Sequence, residues 1–463
     1  MSSKNSLVEF VLFGASGDLS REKIYPALFN VFDPEKQFSY LGYSRTYFSD
    51  EEFRNLVQEA VLKKYPQADL EKLTEFVNRF RYISGSYDTT GIAQLRYKQK
   101  NVFRYYYLAI PSDFALIKSI VDGLDHHHLV KESVIVLEKP FGFDHDSAKK
   151  LNNFLRRFFS EEMIYRIDHY LAKDLVQDIL ALRFANPIFV PIWNNRYIQD
   201  ITINIWEKEG IRNRGQYYEN SGAIKDMIQN HALQLLALTL MERPKSLSYN
   251  DIDIAKTNIF KKIKIFACGR GTPVMIGQYQ GYRQEKYVDP KSLVETFVSM
   301  VLEVDHEDWR GVPIHIVSGK KMARKTTDII INFKNIEHCF WNQDRCQIKN
   351  NQIRINIQPH NDIHLQLNSE FDPASKCAIP TVLRFGFEDN KFILKDSYEN
   401  ALQDLFCQDR LTCTNSSEIL LAWKFIDQVI KLLESNRKEK LIIYDAKKLV
   451  KILEKESCLA KKM

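Results

Sequence analysis

The stretch Arg166–Asp174, which reads Arg-Ile-Asp-His-Tyr-Leu-Ala-Lys-Asp, lies where one hydrophobic pattern replaces another. The apolar run at 163–167 predicts a strand. From Leu171 to Phe184 apolar residues recur at steps of three and four, which predicts a helix. The sequence therefore predicts that a strand changes to a helix at Asp168-His169-Tyr170.

Three polar side chains lie at or just after this switch, namely His169, Tyr170 and Lys173. On a helix that starts at the switch, they share one face. An imidazole, a hydroxyl and an ammonium at a helix N-terminus suit a phosphate, because free backbone N–H groups and the helix dipole add to the attraction. The pattern is also that of a charged helix start capped by Asp168, so the spacing alone leaves both interpretations open.

The N-terminal region has the layout of a dinucleotide-binding βα unit. Leu7–Phe13 is an apolar run typical of a buried parallel strand. It is followed by Gly14-Ala15-Ser16-Gly17-Asp18-Leu19 and then by helical spacing. This arrangement presents backbone N–H groups to a pyrophosphate. A turn that merely needs a positive φ angle gives the same G-x-x-G pattern.

Three more apolar runs, at 38–43, 102–111 and 133–137, predict further strands of the same parallel sheet. Arg45 follows the first, at a place where arginine favours the 2′-phosphate of NADP. Lys139 follows the last, just before Pro140, and therefore lies at the carboxyl edge of the sheet, where ligands bind. We predict that residues 1–168 form a Rossmann-like NADP-binding domain.

Beyond this region the pattern changes to alternation of apolar and polar residues. A long helix is predicted from Ala223 to Met241, with Asp226, Asn230 and Gln234 at steps of four on one face and His231 beside them. Residues 169–463 are therefore predicted to form a larger α+β domain. The alternating segments, which predict antiparallel strands with one buried face, are 200–206, 353–358, 363–368 and 382–387.

The composition excludes several classes of protein. A hydrophobic fraction of 44% and a charged fraction of 27% are typical of a soluble globular protein. The net charge of +6 over 463 residues suits anionic small molecules and does not favour nucleic acid. No apolar run is long enough to cross a bilayer. The seven scattered cysteines predict reduced thiols and a cytoplasmic protein, and no metal site is predicted.

Several of these segments together resemble the glucose-6-phosphate dehydrogenase family, over roughly residues 7 to 430. Two positions depart from the family pattern, because Ala172 replaces a glycine and Asp174 replaces a glutamate. The matching motifs are G-A-S-G-D-L at 14–19, E-K-P-F-G at 138–142, R-I-D-H-Y-L at 166–171, D-x-x-Q-N-H at 226–231, G-K at 319–320 and Q-P at 358–359.

The resemblance implies oxidation of D-glucose 6-phosphate at C1 to 6-phospho-D-glucono-1,5-lactone with hydride transfer to NADP+, the first step of the pentose phosphate pathway. It implies that His231 is the catalytic base and that Asp168 hydrogen-bonds to it. It also implies a cis peptide bond between Lys139 and Pro140. The implied substrate-binding residues are Lys139, His169, Tyr170, Lys173, Glu207, Asp226 and Lys320. The implied cofactor-binding residues are Gly14, Ala15, Ser16, Gly17, Asp18, Leu19, Arg45 and Lys139.

The implied partners are glucose 6-phosphate, NADP+ and further copies of the chain in a homodimer or homotetramer, with 169–463 mediating assembly. The short tail from Asn436 does not predict the second, structural NADP site of animal members. Two alternatives stay open. A related sugar dehydrogenase without a phosphate requirement predicts no cationic cluster at 169–173. A catalytically inactive binding relative predicts loss of His231 or Asp168, and both residues are present.

Overall fold

The structure is a computed structural model that describes residues 7–96, 102–266, 273–335, 348–374, 377–386, 395–434, 437–446 and 448–449. The chain forms two compact units. The first comprises Met1–Ala172 and Lys395–Leu420, and the second comprises Lys173–Leu394 and Leu421–Met463. The boundary predicted at residue 168 did not include 395–420 in the first unit. The assignment of residues 1–168 and 169–463 to two domains stays a prediction.

The secondary structure alternates strands and helices in the first unit and is dominated by strands in the second. The strands are β1 (Leu7–Phe13), β2 (Phe38–Ser44), β3 (Phe80–Ser84), β4 (Val102–Leu108), β5 (Ser133–Glu138), β6 (Ile164–Ile167), β7 (Ile198–Trp206), β8 (Ile263–Ile265), β9 (Val274–Tyr279), β10 (Phe297–Val304), β11 (Ile314–Gly319), β12 (Thr326–Phe333), β13 (Gln352–Gln358), β14 (Asp362–Asp372), β15 (Cys377–Gly386) and β16 (Leu441–Tyr444). The helices are α1 (Tyr25–Val31), α2 (Asp50–Lys64), α3 (Leu70–Asn78), α4 (Thr89–Ile92), α5 (Phe114–His126), α6 (His145–Leu155), α7 (Asp174–Phe184), α8 (Gly215–Ala223), α9 (Leu233–Leu240), α10 (Tyr249–Phe260), α11 (Ser397–Phe406), α12 (Ser416–Glu434) and α13 (Arg437–Lys440). Ser20–Ile24 and Ile224–Ala232 are wound as π-helix.

The first unit is built on a six-stranded sheet in the order β3-β2-β1-β4-β5-β6. All of its neighbouring strands are parallel. Phe10–Phe13 and Val134–Leu137 are buried at every position, as expected for parallel strands covered on both faces. The predicted Rossmann-like parallel sheet is therefore confirmed.

The segment 395–420 joins the first unit through backbone contacts with β6. The Thr414 N–H donates to the Arg166 carbonyl at 3.0 Å, and Cys413 forms an antiparallel bridge with Ile167. The Asn400 side chain donates to the carbonyl of Ala172 at 2.9 Å. These contacts fix the end of β6, where the polar stretch identified in the sequence begins.

The second unit is built on a ten-stranded sheet in the order β15-β14-β13-β12-β7-β11-β10-β9-β16, with β8 paired to β10. Most neighbours are antiparallel, while β7 and β11 are parallel, as are β9 and β16. The predicted combination of a parallel-sheet domain with a larger, mostly antiparallel α+β region is confirmed.

Alternation predicts a buried apolar face on every strand of this sheet, and the structure departs from that at one edge. Ile353, Ile355 and Ile357 of β13 are buried, and α7 packs against that strand. On β15, Leu383 is 46% exposed and Phe385 is 56% exposed. The predicted burial is wrong for β15, because the apolar face of the sheet extends beyond β13, the strand on which α7 packs. Phe387, which belongs to the same predicted strand, lies outside the described residues.

The cysteines depart from the sequence-based expectation at one position. Cys407 and Cys413 are free thiols, whereas Cys377 is disulfide-bonded. The prediction of reduced thiols is therefore wrong at Cys377, because pairing depends on the distance between sulfur atoms in the fold, which scattered sequence positions do not reveal. Within the described residues, no helix has the length and apolar character needed to span a bilayer.

Candidate functional site

The glycine turn after β1 is fixed by close backbone contacts in the first unit. Gly14 has a φ angle of +81°, and its N–H donates to the Tyr43 carbonyl at 2.9 Å. The Gly14 carbonyl accepts from Gly17 N–H and from the Ser20 hydroxyl, both at 2.9 Å. A Cβ atom at position 14 would lie 2.2 Å from the carbonyl oxygen of Ala109. Only glycine fits this turn.

The residues after Gly17 enter the helical segment directly. Asp18 and Leu19 are its first residues, the π-helical turn follows, and α1 begins at Tyr25. The Tyr25 hydroxyl donates back to the carbonyl of Ala15 at 2.5 Å. The strand, glycine turn and helix predicted for a pyrophosphate are thus present and tied together from both ends.

The next part of the predicted cofactor region lies at the end of β2. The Ser16 hydroxyl is 3.0 Å from that of Ser44 and 3.3 Å from that of Thr46. Arg45 is exposed, and its guanidinium lies 5.7 Å from the centre of the Tyr87 ring. The structure therefore brings Arg45 to the same sheet edge as the glycine turn, as the parallel order of β1 and β2 requires.

The Glu138-Lys139-Pro140 turn contains a buried acid next to its lysine. The Lys139–Pro140 peptide bond is cis, which confirms that prediction. Glu138 is buried at the end of β5, and its carboxylate accepts from the Tyr107 hydroxyl at 2.5 Å. Burial raises the pKa of Glu138 to about 7, opposed by the Tyr107 hydrogen bond, the charge of Lys139 and the Tyr398 hydroxyl. No role was predicted for Tyr107 or Tyr398 from the sequence.

This raised pKa makes stability depend on pH in a defined direction. Between pH 4.5, the ordinary value, and about 7, the unfolded chain releases the Glu138 proton while the folded chain keeps it. The free energy of unfolding should therefore fall as pH rises through that window, by about 3 kcal/mol for this group.

Glu138→Gln should remove that part of the dependence. Urea unfolding at several pH values should show wild type losing about 3 kcal/mol more than the variant between pH 4.5 and 7. Parallel curves for the two proteins would contradict the assignment.

The stretch after β6 differs from the predicted helix start. The Asp168 carboxylate is buried and accepts from the Tyr170 N–H at 2.8 Å, while the Ala172 N–H donates to the Asp168 carbonyl at 3.3 Å. The chain therefore turns at Asp168, and α7 begins only at Asp174, with Lys173 in extended conformation before it. The prediction that His169, Tyr170 and Lys173 share a helix face is wrong, because the Asp168 side chain captures a backbone N–H locally.

His169 is instead placed by aromatic neighbours in the first unit. Its ring lies 5.1 Å from the Tyr170 ring, and 6.2 Å from the Tyr398 ring at an interplanar angle of 12°. Tyr398 belongs to α11, in the segment that returns to this unit. Binding of a phosphate by His169, Tyr170 and Lys173 stays a prediction.

In the second unit, three predicted substrate-binding residues meet in one cluster. Lys320, which is 7% exposed, forms an ion pair with Glu207, and its Nζ lies 3.7 Å from Asp226 Oδ2. Glu207 follows β7 and Lys320 follows β11, and these strands are parallel, so their carboxyl ends meet. The Glu207 N–H donates to the Gly319 carbonyl at 2.9 Å. The cluster presents two carboxylates and one ammonium, a set that suits sugar hydroxyl groups.

His231 lies in the π-helical part of the predicted long helix and is fully buried. The helix spans almost the predicted range, but its first half is π-wound and only Leu233–Leu240 is α-helical. The Asn230 side chain accepts from the His231 N–H at 2.6 Å. Gln234 accepts from Lys256 of α10, whereas Asp226 faces Lys320. The pairing of His231 with Asp168 stays a prediction of the sequence.

A parallel sheet with a glycine turn after its first strand is typical of an NAD(P)-dependent dehydrogenase, and the acid–lysine cluster of the second unit suits a substrate with hydroxyl groups. Comparison with protein families identifies the dehydrogenase family to which the chain belongs. Residues 11–178 match the family described as glucose-6-phosphate dehydrogenase, NAD binding domain, and residues 180–454 match its C-terminal domain. The chain belongs to the glucose-6-phosphate dehydrogenase family.

Individual relatives agree with this assignment. The chain is 33% identical over 458 residues to the glucose-6-phosphate 1-dehydrogenase of Chlamydia muridarum, covering 91% of this chain and 89% of the relative. It is 34% identical over 448 residues to that of Borreliella burgdorferi, covering 91% of each. A solved glucose-6-phosphate dehydrogenase in complex with its substrate glucose-6-phosphate is 28% identical, with a TM-score of 0.86 over 96% of both chains.

Proposed function

We propose that this chain oxidises D-glucose 6-phosphate at C1 to 6-phospho-D-glucono-1,5-lactone, with NADP+ as the acceptor. The observation that carries the proposal is the cluster of Lys320, Glu207 and Asp226, on a chain whose two parts both match the family. The reaction is the first step of the pentose phosphate pathway. A cytoplasmic location is proposed with it, on the resemblance alone.

The chemistry assigns a task to each group. The C1 hydroxyl must lose its proton as C1 is oxidised, and a neutral histidine is a suitable base near pH 7. We assign that role to His231, with Asp168 stabilising the imidazolium that forms. Glu207 and Asp226 accept hydrogen bonds from sugar hydroxyls, and the Lys320 ammonium offsets part of their negative charge.

The phosphate and the neighbouring sugar oxygens need cations and hydrogen-bond donors. We assign the phosphate to His169, Tyr170 and Lys173, and a second lysine contact to Lys139. Support comes from the residue types and from the ordered turn at Asp168, whose carboxylate holds the Tyr170 N–H. Glucose without its phosphate would lose these contacts.

The residues of the first unit fit NADP. Gly14 lets the turn pack directly against the Ala109 carbonyl, which holds the turn between β1 and the following helix, the place where a pyrophosphate binds in this kind of fold. Gly14, Ala15, Ser16, Gly17, Asp18 and Leu19 would hold the pyrophosphate, Arg45 the 2′-phosphate, and Lys139 would lie near the nicotinamide end. When bound, NADP+ accepts the hydride from C1.

Cofactor choice is tested by Arg45→Asp. A charge-assisted contact to the 2′-phosphate contributes about 1.5–3 kcal/mol, so the KM for NADP should rise by roughly one to two decades and that for NAD much less. Arg157→Asp is the control, because Arg157 is also exposed and also packs on an aromatic ring, that of Phe158. Equal effects on both cofactors, or an equal effect of the control, would refute the role of Arg45.

The proposed function is tested by nicotinamide absorbance with purified protein. We expect a rise with NADP and glucose 6-phosphate, and little or none with glucose at the same concentration. Equal rates with both sugars would favour a sugar dehydrogenase without a phosphate requirement. The absence of any rise with either sugar would favour an inactive relative.

We also propose that the chain forms a homodimer through the outer strands of the second sheet. Ile363 and Leu365 of β14 pair with Phe385 and Leu383 of β15, which places four apolar side chains on one face. Two of them, Leu383 and Phe385, are about half exposed. An exposed apolar patch of this kind is typical of an interface, and a second copy covers it with the same apolar residues.

The test is Phe385→Asp in sedimentation-velocity experiments. A charge at the proposed interface should shift the protein from dimer toward monomer at micromolar concentration. Val382→Asp is the control, because Val382 is 53% exposed on the opposite face of the same strand. A dimer that resists Phe385→Asp, or one that is lost only with Val382→Asp, would overturn the choice of face.

A further inference from the structure

The hydroxyl of Tyr217 lies against the acid–lysine cluster of the second unit. It donates to Asp226 Oδ1 at 3.1 Å, while Lys320 Nζ lies 3.7 Å from the other oxygen, Oδ2. Asp226 is 4% exposed. A buried carboxylate in this position has one oxygen oriented by a phenol and the other by an ammonium, so its plane is set from both sides.

Tyr217 is itself held in place. It belongs to α8, where the Ser221 hydroxyl donates to its backbone carbonyl at 3.1 Å, and the Arg214 guanidinium lies 4.6 Å from its ring centre. Burial and, to a lesser extent, the negative charge of Asp226 raise the pKa of the Tyr217 hydroxyl. The phenol therefore stays protonated and donates its hydrogen bond throughout the physiological pH range. The Tyr217 hydroxyl is therefore a fixed donor.

The backbone of Lys320 is held by two hydrogen bonds. Its N–H donates to the Thr296 carbonyl at 2.9 Å, and its own carbonyl accepts from the Tyr444 hydroxyl at 2.6 Å. Its ammonium pairs with Glu207 as well as with Asp226. The Lys320 ammonium and the Tyr217 hydroxyl therefore both orient the Asp226 carboxylate, and Tyr217 does so through a direct hydrogen bond to Oδ1.

We propose that Tyr217 is a positioning residue that sets the orientation of the Asp226 carboxylate, and through it the discrimination between epimers of the hexose phosphate substrate. The inference rests on the proposed function, because it takes Asp226 as an acceptor for a sugar hydroxyl. An axial and an equatorial hydroxyl differ in direction, and only a carboxylate of fixed orientation distinguishes them. In a rigid site the wrong epimer leaves polar groups without hydrogen-bond partners, so it binds poorly. A mobile carboxylate can turn toward the displaced hydroxyl, so the wrong epimer is rejected less strongly.

If Tyr217 only stabilised the fold, its replacement would have a different effect. It would lower stability and would leave the ratio of rates for two epimers unaltered. The test therefore compares Tyr217→Phe with Tyr279→Phe. Tyr279 lies in the same unit and donates to Glu285 Oε1 at the same distance of 3.1 Å, and it also accepts from the Ile211 N–H. The control thus loses a matched hydrogen bond to a carboxylate.

The measurements are kcat and KM for glucose 6-phosphate, mannose 6-phosphate (C2 epimer) and galactose 6-phosphate (C4 epimer), with NADP saturating. Tyr217→Phe should raise the KM for glucose 6-phosphate by about tenfold, the effect of one hydrogen bond to a charged group, with kcat within about threefold of wild type. The preference for glucose 6-phosphate over at least one epimer, taken as the ratio of kcat/KM values, should fall by about threefold or more. Tyr279→Phe should leave both quantities as in wild type.

The outcomes separate the inference from the proposed function. A wild type that is inactive with glucose 6-phosphate would refute the proposed function itself. An active wild type, with Tyr217→Phe unchanged in both epimer ratios or no different from Tyr279→Phe, would overturn the role of Tyr217 and leave the proposed function standing. Thermal melting of both variants shows whether either has lost its fold, and a folded Tyr217→Phe with unaltered preference counts against the inference.

Discussion

His231→Asn is expected to lower kcat with glucose 6-phosphate by about two to four decades, the usual contribution of general-base catalysis. The KM for glucose 6-phosphate should stay near the wild-type value, because the base acts mainly in the transition state. Asp168→Asn should cost less. The double variant should be little worse than His231→Asn, because two residues that act as one unit are not additive.

The control for this series is His315→Asn. His315 is also a buried histidine of the second unit, and burial lowers its pKa to about 4. Its loss should alter stability and leave kcat within a few-fold of wild type. A comparable loss of kcat in His315→Asn, or additive losses in the double variant, would refute the assignment of a catalytic pair.

Gly14→Ala is expected to abolish NADP binding and to destabilise the first unit. A left-handed backbone costs an alanine about 1–2 kcal/mol. The added Cβ would also lie 2.2 Å from the Ala109 carbonyl oxygen, so β1 or the end of β4 must shift. Together these should reduce the free energy of unfolding by about 3 kcal/mol or more, as measured by urea denaturation, with NADP affinity measured by fluorescence titration.

Gly311→Ala separates the two costs. Gly311 has a φ angle of +83°, and no atom lies within 4 Å of its Cβ position. It should therefore show only the backbone cost of about 1–2 kcal/mol and bind NADP normally. Equal destabilisation by the two substitutions, or NADP binding retained in Gly14→Ala, would show that the tight turn at Ala109 is not what Gly14 provides.

The features predictable from sequence were those set by local pattern. The apolar runs of β1, β2, β4 and β5 favour strands buried on both faces, and the alternation in β7 and β13 favours strands with one apolar face. Glu207 and Lys320 each end a strand, and β7 and β11 are parallel, so their ion pair follows once that order is known. That β7 and β11 are neighbours in the sheet could not be predicted from the pattern of residues within either strand.

The features that were missed depend on contacts between distant segments. The return of 395–420 to β6 rests on backbone hydrogen bonds such as that from Thr414 to Arg166, which leave no side-chain signal. Tyr217 was not singled out because a tyrosine at helical spacing is usually part of a core. The late start of α7 reflects a local competition, in which Asp168 accepts from the Tyr170 N–H.

The central claim is that this chain oxidises C1 of a hexose that keeps its phosphate. The most direct measurement is carbon-13 NMR of glucose 6-phosphate labelled at C1, incubated with the protein and NADP. The claim predicts that the C1 resonance moves from the hemiacetal position to that of a lactone carbonyl, and then to the carboxylate as the lactone hydrolyses, while the phosphorus signal remains that of a phosphate ester. A C1 resonance that stays at the hemiacetal position, or free inorganic phosphate appearing in step with the reaction, would contradict it.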